Sequence, residues 1–139
     1  MTSIFTRIIE GEIPGRIIWR DDTAVAMVDI RPLSRGHTLV IPITETDQWT
    51  DLPAAVAAHL FTVAHHVANA QKVVGGYARI GIVVAGFEVP HAHVHVVPMN
   101  TMSDLDFATA DQTPDPNDLD AAADELRNAL RSAGHAQVC

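Results

Sequence analysis

Three histidines, His91, His93 and His95, alternate with apolar residues in the run His91-Ala92-His93-Val94-His95-Val96-Val97-Pro98. On a strand, side chains alternate between faces, so the three imidazoles would share one face and Ala92, Val94 and Val96 the other. Residues two apart on a strand face are separated by roughly 6.6 to 7 Å. Neighbouring histidines can therefore flank one group, the outer pair cannot share an atom, and His93 is the privileged member. A neutral imidazole is a nucleophile near pH 7, and its neighbours can donate hydrogen bonds to the oxygens where charge gathers as phosphorus is attacked. Phosphoryl or nucleotidyl transfer fits that arrangement. Two other readings compete with it: histidines that are simply exposed or satisfied in a core, and a metal triad in which two strand histidines are joined by His37. Three histidines on one face, opposite an apolar face, count against the first. The lack of a nearby carboxylate or thiol, with one histidine left over, counts against the second.

The histidine run needs a sheet to sit in and a core beneath it. Ile4-Phe5-Thr6-Arg7-Ile8-Ile9 is a short apolar segment that ends at Gly11 and Pro14, enough for a helical turn or two. Ile17-Ile18-Trp19 and Thr23 to Val28 flank the polar Arg20-Asp21-Asp22 and give a hairpin signal. Turn chemistry over Arg31-Pro32-Leu33-Ser34-Arg35-Gly36 precedes a third strand over His37 to Pro42. Asp51 is a plausible N-cap, with Pro53 in the first turn, for a long helix carrying Val56, Leu60, Val63 and Val67 up to Gly75-Gly76. Ala78 to Val84 and the histidine run supply two more strands. The predicted class is α+β, a sheet of about five largely antiparallel strands with one long helix. Leu119, Ala122, Leu126 and Leu130 then predict an extra C-terminal helix at about 117–132. The domain expectation is a core over 1–98 and an acidic C-terminal extension over 99–139.

Composition narrows the partners. The 139 residues suit one domain, 47% of them are hydrophobic, and no stretch approaches a membrane span. The N-terminus lacks a secretory pattern, so the expected location is cytoplasmic, with no membrane partner. Cys139 is the only cysteine, which leaves no intrachain disulfide. A formal charge of -8 argues against a nucleic-acid polymer as partner. That acidity is concentrated in the tail, where eight acidic side chains face only Arg127 and Arg131. A small phosphate ligand would therefore be met by histidines, backbone N–H groups and helix N-termini rather than a lysine cluster. His59 and His66 lie two turns apart on the long helix and read as a solvated or interface stripe, while His135 and Cys139 read as a frayed terminus.

The run His91-Ala92-His93-Val94-His95-Val96-Val97 resembles the motif of the histidine triad family. The resemblance extends through Ser3-Ile4-Phe5 to Glu12-Ile13-Pro14, Ile17-Ile18 with Asp21-Asp22, Asp29-Ile30-Arg31-Pro32, and Gly36-His37-Thr38-Leu39-Val40-Ile41-Pro42, over roughly residues 3 to 98. It is closest to the nucleotide-binding branch of that family. What the resemblance implies is a histidine-triad-like fold, a homodimer, and hydrolysis or transfer of nucleotides through a covalent nucleotidyl-histidine. By position His93 would be the nucleophile, its second ring nitrogen donating to a backbone carbonyl. His95 would contact the α-phosphate, and His91 and His37 would complete the polar surround. Asp29 would hold the ribose hydroxyls, and Ile13, Met27 and Phe5 would line a purine pocket.

Three departures qualify that picture. Family members with structural zinc carry an N-terminal Cys-x-x-Cys pair, whereas here the places hold Ser3 and Thr6, so no metal and no cofactor is expected. The loop before the motif is shortened to Val84-Ala85-Gly86-Phe87-Glu88-Val89-Pro90, with Phe87 where a glutamine is usual and Glu88 where a hydroxyl is common. Glu88 becomes a candidate general acid, though an ionised carboxylate repels phosphate. The acidic tail helix lies outside the common core. The function expected is hydrolysis of nucleoside 5′-phosphoramidates or related conjugates, with a nucleotidyltransferase, a non-catalytic purine nucleotide-binding module and a metal-binding protein as alternatives.

Overall fold

A computed structural model describes residues 2–139. After a short helix α1 (Ile4–Ile9), five strands form one antiparallel sheet: β1 (Ile17–Arg20), β2 (Ala24–Val28), β3 (Thr38–Pro42), β4 (Arg79–Val83) and β5 (Val94–Met99). Their order is β1-β2-β3-β5-β4, so the long helix α2 (Ala54–Val74) carries the chain across the sheet to its far edge. A last helix, α3, spans Pro116–Ser132, with Asp115 accepting from the Asn117 N–H as its N-cap and Pro116 in the first turn. The mixed α+β class, the five strands and both longer helices agree with the sequence pattern.

The two sheet faces have different fates. Ile18, Ala26, Val28, Val40, Val94 and Val96 lie in the cluster beneath Leu60, Val63 and Val67 of α2 and Leu126 and Leu130 of α3. Both tail leucines are buried, and each such leucine contributes about 1.5–3 kcal/mol on leaving water. On the opposite face Val25, Met27, Leu39 and Ile41 pack against Phe5 and Ile9 of α1, with the partly buried Ile8, Ile17, Ile43 and Val89 around them. That second, thinner layer leaves the space in which the histidines stand.

Three details depart from the sequence reading. Pro53, not Asp51, caps α2, without a side-chain hydrogen bond, and Asp51 ends a single 3₁₀ turn over Trp49–Asp51. Leu52 precedes the proline and is extended, as a residue before proline prefers, so the helix cannot start earlier. The C-terminus is not frayed: the Arg20 N–H donates to the Gln137 carbonyl, Val138 pairs with Trp19, and the Cys139 N–H reaches the Ile18 carbonyl. His135 stands edge-on to Trp19 and 4.2 Å, centre to centre, from the His66 ring, which itself stacks on Trp19. Finally, only His95 of the three motif histidines lies within β5, which starts at Val94.

That late start has a local cause. The β3–β5 register pairs Val40 with Val94, so continuing it would set Ala92 against Pro42, which has no N–H to offer. The ladder stops there, and the Ala92 N–H donates instead to the Thr46 carbonyl. The alternation of side chains survives nevertheless: Ala92, Val94 and Val96 all enter the core under the helices.

Candidate active site

His93 and His95 stand beside the strand positions of Ile41 and Leu39, and His37 precedes β3 on the same side, so one sheet face gathers residues more than fifty positions apart. All four histidines, His37, His91, His93 and His95, are at most 4% exposed. Buried imidazoles need partners for both nitrogens, and those partners determine where each proton sits.

The His93 Nδ1 lies 2.7 Å from the His91 carbonyl oxygen. A carbonyl only accepts, so Nδ1 carries the proton and Nε2 keeps its lone pair. The second chain of bonds begins at a main-chain amide. The Leu33 N–H donates to His37 Nδ1 over 3.0 Å, which leaves the His37 proton on Nε2. That N–H faces His95 Nδ1 at 3.0 Å, with the Asp29 carboxylate at 3.6 Å. His95 thus accepts at Nδ1 and presents an N–H from Nε2. One histidine offers a lone pair and its neighbour a donor, the division of labour that attack on phosphorus requires.

Charge is kept out of this cluster. Burial, with His93 nearby, lowers the His37 pKa to about 4, and burial with His37 and His93 lowers that of His95 to about 3. Burial also lowers the His91 pKa, against the opposing pull of the Pro42 carbonyl and Glu45. Asp29 moves the other way, its pKa raised chiefly by burial. At neutral pH His37, His91 and His95 are uncharged.

An apolar cavity of about 230 Å³ opens beside them, lined by Phe5, Ile13, Met27 and Leu39 together with Asp29, Arg31, Glu88, His93 and His95. Phe5 stands edge-on to His93, 5.0 Å between ring centres. Asp29 does two things: one oxygen faces His37, and the other accepts the Arg31 N–H at 2.9 Å and so caps the turn after β2. Glu88 is exposed, with a carboxylate oxygen within 4.8 Å of ring nitrogens of His93 and His95. Phe87 is 97% exposed and points away from any core.

His91 and His37 do not line the cavity; they stand behind it, in hydrogen-bond contact with His93 and His95 respectively. His91 donates from Nε2 to the Pro42 carbonyl over 2.8 Å and accepts at Nδ1 from the Ser3 hydroxyl at 2.6 Å. Ser3 and Thr6, at the places of the Cys-x-x-Cys pair, are fully engaged: the Ser3 N–H and the Thr6 hydroxyl both donate to Glu45 Oε1. With hydroxyl oxygens for thiolates and internal partners for each, this corner does not fit a structural zinc ion. Sequence reasoning missed Ser3 as a partner of His91, the Leu33 N–H, and Phe107, whose ring stands edge-on to His95 at 4.8 Å. Phe107 is the only Phe, Tyr or Trp after the motif, the one signal that could have singled it out.

A sheet that sets an imidazole with an unpartnered Nε2 beside one that presents an N–H, at the foot of an apolar cleft, has the geometry for transfer chemistry at a phosphate-bearing ligand. The HIT domain model matches residues 10–102, and the chain belongs to the histidine triad (HIT) family. An uncharacterised HIT-like protein of Mycobacterium tuberculosis is 33% identical over 135 residues, 94% of each chain. The adenylylsulfatase HINT3 of Arabidopsis thaliana is 28% identical over 133 residues, 92% of this chain and 67% of its own length. Among solved structures, a zinc-bound histidine triad protein of Mycobacterium smegmatis superimposes with a TM-score of 0.80 at 32% identity, covering 96% of both chains.

Proposed function

We propose that the chain hydrolyses nucleoside 5′-phosphoramidates or related nucleotide conjugates, with purine nucleotides favoured, through a covalent nucleotidyl–His93 intermediate. The observation that carries this reading is the 2.7 Å bond from His93 Nδ1 to the His91 carbonyl, which leaves the Nε2 lone pair facing the cavity side. The base occupies the apolar cavity against Phe5, Ile13 and Met27, and the Asp29 carboxylate accepts the ribose hydroxyls. His93 Nε2 attacks the α-phosphorus while the His95 Nε2–H donates to a non-bridging oxygen. The leaving group departs, water attacks the phosphorus, the bond to His93 breaks, and the nucleoside monophosphate is released. Transfer to an acceptor other than water shares the first step.

The reading includes a homodimer. The C-terminal segment covers β1, whereas β4 at the other edge has an exposed Ile82 and no further strand beside it among the described residues. No helix among these residues is long and apolar enough to cross a membrane. The test is turnover of adenosine and guanosine phosphoramidates, dinucleoside polyphosphates and adenylyl sulfate by wild type and His93→Ala. Release of monophosphate by wild type alone supports the proposal. Tight purine monophosphate binding with no turnover of any conjugate would make the chain a nucleotide-binding module instead.

A further inference from the structure

The cavity assigned to the nucleotide abuts a second, smaller one of about 90 Å³, bounded on its far side by Phe107, Ala110 and Gln112 of the tail. Asp29, Arg31, Glu88 and His95 line both cavities, so the two spaces meet beside the histidine that would donate to the phosphate. His95 is 4% exposed and its Nδ1 is taken by His37, while its Nε2 has no hydrogen-bond partner among the described residues. Glu88 makes no ion pair among the described residues, although its carboxylate comes within 4.8 Å of the His93 and His95 ring nitrogens. A carboxylate so placed repels a phosphate unless a cation stands between them.

We infer that the smaller cavity is the leaving-group subsite, and that Glu88 selects conjugates whose leaving group is a short amine bearing positive charge, such as a diamine. Size agrees with this. A short aminoalkyl chain fits this space beside Phe107, Ala110 and Gln112. Charge agrees as well: two carboxylates, Asp29 and Glu88, face one guanidinium, Arg31, so an ammonium is favoured over a sulfate.

The inference rests on the nucleotidyl–His93 reading, and the step balances within it. The His93 Nε2 lone pair forms the bond to phosphorus. The bond from phosphorus to the amine nitrogen breaks with its electron pair, and that nitrogen takes a proton from solvent and leaves as an ammonium ion paired with Glu88. Water then displaces His93, which regains its lone pair, and the proton water loses goes to solvent.

The experiment compares kcat/KM for the adenosine phosphoramidates of 1,3-diaminopropane and of propylamine, and for adenylyl sulfate, in wild type, Glu88→Gln and Glu88→Lys. Wild type should prefer the diamine conjugate to the propylamine conjugate about tenfold, the order of a single ion pair at an exposed carboxylate. Glu88→Gln should remove that preference, and Glu88→Lys should shift selectivity toward adenylyl sulfate. An unchanged ratio in both variants would overturn the inference. A second measurement is independent of turnover: histidine NMR signals of the AMP-saturated protein, titrated with 1,3-diaminopropane or with sulfate. Amine binding that is lost in Glu88→Gln supports the subsite even if nothing is turned over, an outcome that would sink only the hydrolase reading. No amine binding beside AMP overturns the subsite.

Discussion

Acidification tests the neutral histidine cluster most sharply. His37 and His95 have pKa values lowered from 6.5 to about 4 and about 3, chiefly by burial, with His93 acting on both and His37 also on His95. The unfolded chain therefore binds protons at both sites before the folded one does. Their stability contribution is present above pH 6.5 and is lost as pH falls toward 4 and 3. Each site costs about 1.4 kcal/mol per pH unit in that window, so a drop from pH 7.5 to 5.0 removes about 2 kcal/mol per histidine. Two adjacent imidazoles do not titrate independently, and about 3–4 kcal/mol for the pair is the working figure. Asp29 opposes this slightly, since its raised pKa adds stability as it takes up a proton. Against a usual total of about 5–15 kcal/mol the loss is large. Urea unfolding followed by tryptophan fluorescence at pH 7.5, 6.0 and 5.0 measures it, with the His37→Gln/His95→Gln double variant as reference. The reasoning is refuted if wild type loses less than about 1 kcal/mol, or if the double variant shows the same slope.

Ser3→Ala leaves His91 Nδ1 buried without its donor and should cost about 1–3 kcal/mol in urea unfolding. Leu126→Ala should cost about 2–5 kcal/mol because it opens a cavity where α3 meets the sheet. Arg35→Ala should cost less than about 1 kcal/mol despite two ion pairs to Asp118 and Glu125, since all three side chains are exposed. Phe5→Ala removes a wall of the larger cavity, and steady-state kinetics should show KM for adenosine phosphoramidate rising more than kcat falls.

Much of this architecture can be read from periodicity. The apolar spacing of α2 and α3 and the alternation around His93 and His95 depend only on neighbours in the chain, and so does the hairpin of β1 and β2. What periodicity missed depends on partners distant in sequence. The start of β5 at Val94 follows from Pro42 standing across the ladder, a register that no local pattern contains. His37 was placed at the site through a family resemblance, but its tautomer comes from the Leu33 amide four residues earlier, which only the folded turn reveals. The 99–139 segment reads as an acidic extension outside the common core, and no periodicity announces that its Phe107 ring reaches His95. The C-terminal residues read as frayed because nothing in their sequence announces that they will lie along β1.

The central claim is that the His93 Nε2 forms a bond to phosphorus. Wild type mixed with adenosine phosphoramidate, quenched within milliseconds and mapped by peptide mass spectrometry, addresses it directly. The expected result is an adenylyl group on the peptide containing His93, assigned to that residue by fragmentation. Turnover without any adduct, or an adduct on His95 instead, would contradict the account.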